Sequence, residues 1–302
     1  MAIHFKKSVS ILFKTTPFIL LKFGVYFIIM LLSAGYFLLN FYISFKVISN
    51  FIVGLVLFII SILIYFALIK WVVRYITYMI KAAHIAVITE LTNKGKLPEG
   101  QIKFGFKQAK SRFTSSTLLF VVDSVVNSIL RRINRWVLTF VDKIPVKQIQ
   151  QLLRFMLMII NIAVSYIDEA ILSYLFSEPK KEGLKGAKEG LVLYFKSWKP
   201  ILTTATVLVS ISYGSALVLY YLLYYVFTPV FGALSYMFWI PLIFVAILIK
   251  LIFFDPFILV SMIVNYQEAI KGMTPDTNTE NQLKKVVPDF DKIFEKARKK
   301  IS

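Results

Sequence analysis

Between Phe51 and Ile69 the chain carries no charged side chain. An apolar run of about 20 residues matches the hydrocarbon thickness of a bilayer when helical. Inside lipid every backbone N–H and C=O needs a partner within the protein, and a helix supplies one for each along its own length. Six apolar segments of this kind can be drawn, at Phe18–Phe45, Phe51–Val73, Thr117–Leu130, Leu152–Phe176, Ile201–Phe227 and Met237–Val264. Only 17% of the 302 residues are charged, against roughly 25% in a soluble domain. The expected fold class is therefore an all-α polytopic membrane bundle, with residues 1–266 as the transmembrane domain and 267–302 as a charged cytoplasmic tail.

The net charge of +19 does not imply nucleic acid here. Lys and Arg flank the apolar segments, as the positive-inside rule expects, and they favour anionic lipid head groups as partners. Lys6, Lys7 and Lys14 precede the first segment, and a basic stretch from Lys70 to Arg112 follows the second. The link Thr228–Tyr236 before the sixth carries no charge. This distribution predicts a multi-pass cell-membrane protein with both termini cytoplasmic. One loop conflicts with six spans: Arg131, Arg132, Arg135, Lys143 and Lys147 fall where the topology puts the outside. Segments three and four could instead form a re-entrant hairpin, leaving four spans.

A short internal repeat favours six. Ile11-Leu-Phe-Lys-Thr-Thr-Pro-Phe-Ile-Leu20 resembles Leu193-Tyr-Phe-Lys-Ser-Trp-Lys-Pro-Ile-Leu202, and Phe113–Leu119 fits the same template more loosely. Each copy follows a basic amphipathic stretch, the pattern of a helix lying in the interface. Three elbow-plus-hairpin units would give six helices, and such a bundle could also form a homo-oligomer. In the tail, the mixed charges around Phe290, Ile293, Phe294 and Ala297 predict a short amphipathic helix.

An ionisable residue inside a span is costly and marks a candidate site. Segment three offers Asp123, Asn127 and Arg131 at helical spacing, followed by Arg132 and Arg135. Segment four offers Asp168 and Glu169, and segment six Lys250 and Asp255-Pro256. Counting back from the elbows puts His84 and Asp168 at equivalent places. Asp255 lies at a comparable depth, where the following proline frees a carbonyl. The simplest alternative is that these charges only pair with one another, Asp168 and Glu169 with Arg131, Arg135 or Lys250, while Lys22 snorkels to the interface.

No hydrolase, zinc-protease or P-loop signature occurs, and with no Cys and only two His neither a cofactor nor a metal site is expected. The reading that follows is a transporter or channel for a cation, proton or small polar solute. Its path runs past Asp123, Asn127, Asp168, Glu169, Lys250 and Asp255. The rivals are a non-enzymatic scaffold and a lipid-handling protein that holds head groups at Arg131, Arg132 and Arg135.

Overall fold

The computed structural model describes residues 4–112, 124–129, 131–132, 135, 166–178, 181, 183–231, 242–243 and 245–301. Regular structure among them is entirely helical. Helix α1 (Phe5–Lys14) leads into α2 (Thr16–Tyr42), which ends in a π-helical turn, Ile43–Val47. Helix α3 (Phe51–Lys94) is followed by α4 (Gln101–Arg112), α5 (Ile167–Ser177), α6 (Gly183–Lys196) and α7 (Trp198–Phe231). A second π turn, Lys250–Phe254, opens α8 (Asp255–Ala269), and α9 (Thr277–Val286) and α10 (Phe290–Ile301) close the chain.

Four described helices are long and apolar enough to cross a membrane: Thr16–Val47, Phe51–Lys94, Trp198–Val230 and Val245–Ala269. The most apolar windows of the first two are only 6% buried, with Leu38, Leu63 and Phe66 pointing outward. Water would not tolerate that surface, so it marks a membrane-embedded chain. Asp123, and most of the expected third and fourth segments, lie outside the described residues. The described end of segment four, α5, is not lipid-facing but buried through Ala170, Ile171 and Leu172.

The second segment is longer than expected. Flanking charge marks where hydrocarbon ends, not where a helix ends, and α3 continues through Lys70, Arg74 and Lys81 to Lys94. At 1.5 Å per residue its 44 residues run about 66 Å, roughly twice the hydrocarbon thickness. Its first half is exposed. From Ile80 onward Ala83, Ile85, Val87, Ile88 and Leu91 are buried, until Gly95 stops the helix with φ +71°, the left-handed cap that glycine adopts without strain. The core gathers around this second half, with Ile171 and Leu172 of α5, Leu191 of α6 and Tyr266 of α8. Tyr266 donates to the Gly190 carbonyl at 3.0 Å and Gln267 to Ser173 at 2.8 Å, so buried polar bonds tie α8 to α6 and α5.

The first and last repeat copies share a local geometry, while Phe113–Leu119 lies outside the described residues. Thr15 and Ser197 each occupy a one-residue break between a short and a long helix. The Thr15 hydroxyl donates to the Ile11 carbonyl at 2.9 Å, and the Ser197 hydroxyl to the Leu193 carbonyl at 2.8 Å. Each backbone N–H is shared between two carbonyls of the preceding turn. A buried hydroxyl that bonds back along its own helix bends the chain at that point.

The C-terminal segment folds back onto α6. Leu283, Val287 and Phe290 are fully buried, and a lattice of charge surrounds them. Lys188 bridges Glu280 at 2.8 Å and Asp291 at 3.5 Å, while Lys284 bridges the same two carboxylates at 2.7 and 2.9 Å. Lys196 holds Asp276 at 2.6 Å, and Arg132 holds Asp289 at 2.8 Å. Asp276 also caps α9 by accepting from the Thr279 N–H at 2.7 Å. The Lys196 bond, then the Thr279 bonds, pull the Asp276 carboxyl down to about 2. Bonding to Lys284 lowers Asp291. Burial opposes ionisation of Glu280, but Lys188 and Lys284 outweigh it.

Two expectations follow. These carboxyls titrate lower when docked, so their contribution is present above the ordinary carboxylate range and is lost as pH falls from about 4.5 toward 2. Residues 277–301 should therefore gain protease sensitivity and amide exchange across that window, and sooner in high salt, while the α3–α8 core stays protected. Separately, a Cβ on Gly105 would stand 2.5 Å from the Ala83 carbonyl oxygen and 2.9 Å from Phe18. Gly105→Ala should lower stability in detergent by about 1–3 kcal/mol, whereas Gly35→Ala, with no atom within 4 Å, should not lower it.

Candidate functional site

Within α3, Arg74, Thr77, Lys81 and His84 recur every three or four residues and so share one face. They line a cleft of about 300 Å³ together with Lys22 and Tyr26 from α2, Glu169 from α5 and Tyr166 just before it, and Asp255 and Pro256 from α8. The floor is apolar: Phe18 is fully buried and its ring stacks on His84, centroids 4.9 Å apart at 7°.

Two ion pairs form the walls. Lys81 pairs with Glu169 through Oε1. Lys250, at the start of the π turn, pairs with Asp255 at 2.7 Å, their side chains 8% and 17% exposed. Asp255 also accepts from the Tyr166 hydroxyl at 3.1 Å, and the Lys250 ammonium lies 4.4 Å from the centre of the Tyr213 ring. Charges this deep persist only when paired and hydrogen-bonded. Asp168 stands behind the wall in the first turn of α5, where the helix dipole favours a carboxylate. It accepts from its neighbour's backbone N–H at 2.8 Å and from Asn127 Nδ2 at 3.3 Å.

Of the expected path residues, Glu169 and Asp255 line the cleft; Lys250 borders it through Asp255, and Asn127 and Asp168 bond to each other outside the lining. The partners differ from the expected ones. Glu169 pairs with Lys81 rather than with Arg131, Arg135 or Lys250, because α3 is long enough to bring Lys81 opposite α5. Arg131 and Arg135 are exposed, Arg132 is engaged by Asp289 of the tail, and none of the three lines the cleft. Lys22 faces the cleft rather than only the interface. Lys81, Arg74 and Tyr166 escaped the sequence reading. The helical spacing of Arg74, Thr77, Lys81 and His84 held the missing signal, hidden because those residues counted as loop.

The sign of the lining is informative. Lys22, Arg74 and Lys81 face it with positive charge, and Glu169 and Asp255 with negative. Both carboxylates already have a lysine. Lys22 forms no ion pair among the described residues, and its ammonium sits 6.0 Å from the centre of the Tyr26 ring. Two buried atoms, Glu169 Oε2 and His84 Nε2, lack a hydrogen-bond partner among the described residues. No group of three or more metal-binding side chains occurs among those residues.

Comparison with protein-family models, with curated proteins and with solved structures finds no match, so the chemistry of the site rests on its own geometry.

Removing one partner of the more enclosed pair leaves a buried charge. Asp255→Leu should cost about 3–5 kcal/mol, and adding Lys250→Met should recover most of it. Thermal unfolding of the two singles and the double in detergent measures the coupling. Additive losses would show that the pair does not hold α8 in place.

Proposed function

We propose that this chain is an integral membrane transport protein that takes a small polar solute into the cleft between α2, α3, α5 and α8. The observation that carries the reading is the cleft itself. Two ion pairs buried among spanning helices wall an open space of about 300 Å³, at the small end of the range of ligand sites. A bundle that used charge only as packing glue gains nothing from leaving such a space, because unfilled polar volume forfeits contacts on one side.

The charge balance favours a different solute from the cation expected of the sequence. Glu169 and Asp255 are each paired with a lysine, so a free cation finds no uncommitted carboxylate among the described residues of the wall. Lys22 is the uncommitted charge, and it favours a solute with an anionic group. The Lys7–Glu268 pair at 2.6 Å ties α1 to the end of α8, which supports placing both on the same side of the membrane.

The scaffold reading draws support from the tail, which four carboxylate–lysine and carboxylate–arginine bridges dock onto the body. Transport assays separate the two. Proteoliposomes should take up radiolabelled glycerol phosphate faster than choline or potassium, and Lys22→Gln should slow that uptake by about tenfold if the lysine contributes a charge-assisted bond. Uptake indistinguishable from empty vesicles for all three solutes would favour the scaffold. Wild-type rates in Lys22→Gln would sink the assignment of the cleft.

A further inference from the structure

The charged cleft does not end at Tyr26. An apolar groove of about 570 Å³ runs on from it between α2 and the residues around the second π turn, and Ile19, Lys22, Tyr26 and Pro256 line both spaces. Phe23, Phe27 and Met30 form one wall of the groove, and Leu248, Leu251 and Ile252 the other. All three aromatic and methionine side chains of the α2 wall are about half exposed, so the groove opens sideways, toward lipid, rather than along the bundle axis. The two spaces form one concavity, charged at one end and apolar at the other.

Its dimensions follow from helix geometry. Lys22 lies near the start of the span Thr16–Val47, and Met30 is eight residues, or about 12 Å, further along the same helix. A ligand that places a charged group beside Lys22 therefore meets hydrocarbon-like walls in the direction of the bilayer centre. The opposite wall is available because of the π turn at Lys250–Phe254. A π turn widens the helix locally, and such turns concentrate at functional sites. Pro256 adds a backbone position without an N–H, placed at the junction of the two spaces.

We propose that this concavity binds a membrane lipid with a small anionic head group, the head beside Lys22 and Arg74 and one acyl chain in the groove between α2 and the π turn. The inference rests on the reading of the cleft as a solute site and names the substrate class: a phosphate- or carboxylate-bearing amphiphile that enters laterally from the bilayer. Three features select it. The one lysine of the lining without an ion pair among the described residues sits at the junction, where a head group would stand. Among the described residues the lining carries one more positive than negative charge. The polar part is too small for a bulky sugar head, while the groove is nearly free of polar atoms. A zwitterionic lipid gains less here, because its cationic end would face Lys22, Arg74 and Lys81.

The test uses the full-length protein in phosphatidylcholine nanodiscs that carry a trace of a photoreactive phosphatidic acid or, in a parallel arm, the matching photoreactive phosphatidylcholine. Labelled peptides are mapped after irradiation. Phosphatidic acid should label Phe23–Met30 and Leu248–Ile252 about tenfold more than phosphatidylcholine does, and Lys22→Gln should cut that preference by about fivefold, the weight of one interfacial lysine. Leu251→Trp, which fills the groove without touching the charges, should reduce labelling of both peptides while thermal stability is retained. Labelling of Leu63–Leu68, on the exposed face of α3, serves as the measure of bulk lipid and should be equal for both probes.

Equal labelling of the groove by the two lipids would overturn the proposal, as would a preference that survives Lys22→Gln. Millimolar inorganic phosphate or glycerol phosphate that displaces the photolipid as well as unlabelled phosphatidic acid does would assign the site to a soluble anion and overturn the lipid assignment. Failure of this inference is distinguishable from failure of the transport reading. Glycerol phosphate uptake without lipid preference removes the lipid alone, and lipid preference without any uptake removes transport alone.

Discussion

Carrying a charge into hydrocarbon costs several kilocalories per mole unless an opposite charge and hydrogen bonds meet it, and the arrangement of this chain follows from how that cost is met. Lys81 on α3 meets Glu169 on α5, and Lys250 meets Asp255 across a single turn. The first pair fixes the rotation of α3 against α5. The second fixes the start of α8, which then threads the core with Ile258, Val260, Ile263 and Tyr266 all buried. Both pairs border one space, so the residues that orient the bundle are also those that give the cleft its charge.

The membrane character of the chain was legible because hydropathy is a local property: a run such as Phe51–Ile69 has one solution in lipid. Partners across the bundle are not local. Lys81 belongs to a basic stretch beside an apolar segment, which has the composition of a topogenic loop. The same stretch, read at helical spacing, places Arg74, Lys81 and His84 on one face, and that face is the cleft. Glu169 and Asp255 could be singled out as costly. Which lysine answers each depends on α3 continuing as one helix to Lys94, a length that charge counting cannot supply.

Two of the three repeat copies fall on described residues, and what they share there is a hydroxyl at a helix break. Thr15 and Ser197 are chemically equivalent hydroxyls at equivalent positions, each bonded back to the carbonyl four residues earlier. A side chain that satisfies its own helix at a break lets the chain change direction without leaving a buried donor unmet. Evolution can reuse such a joint by duplication, because everything it needs lies within one helical turn.

The π turn at Lys250–Phe254 has a further consequence, one of phase. A π turn holds an extra residue relative to an α turn, so every side chain from Asp255 onward is set about 100° around the axis from where an uninterrupted helix would carry it. Without that offset Asp255 would turn away from Tyr166, and the buried stripe of α8 would rotate out of register with α5 and α6. The turn therefore acts as a one-residue vernier between the lipid-facing and core-facing halves of the last described span. Insertions or deletions between Val245 and Phe254 are then far less tolerable than substitutions, because a change of chain length there reassigns the face of every residue that follows.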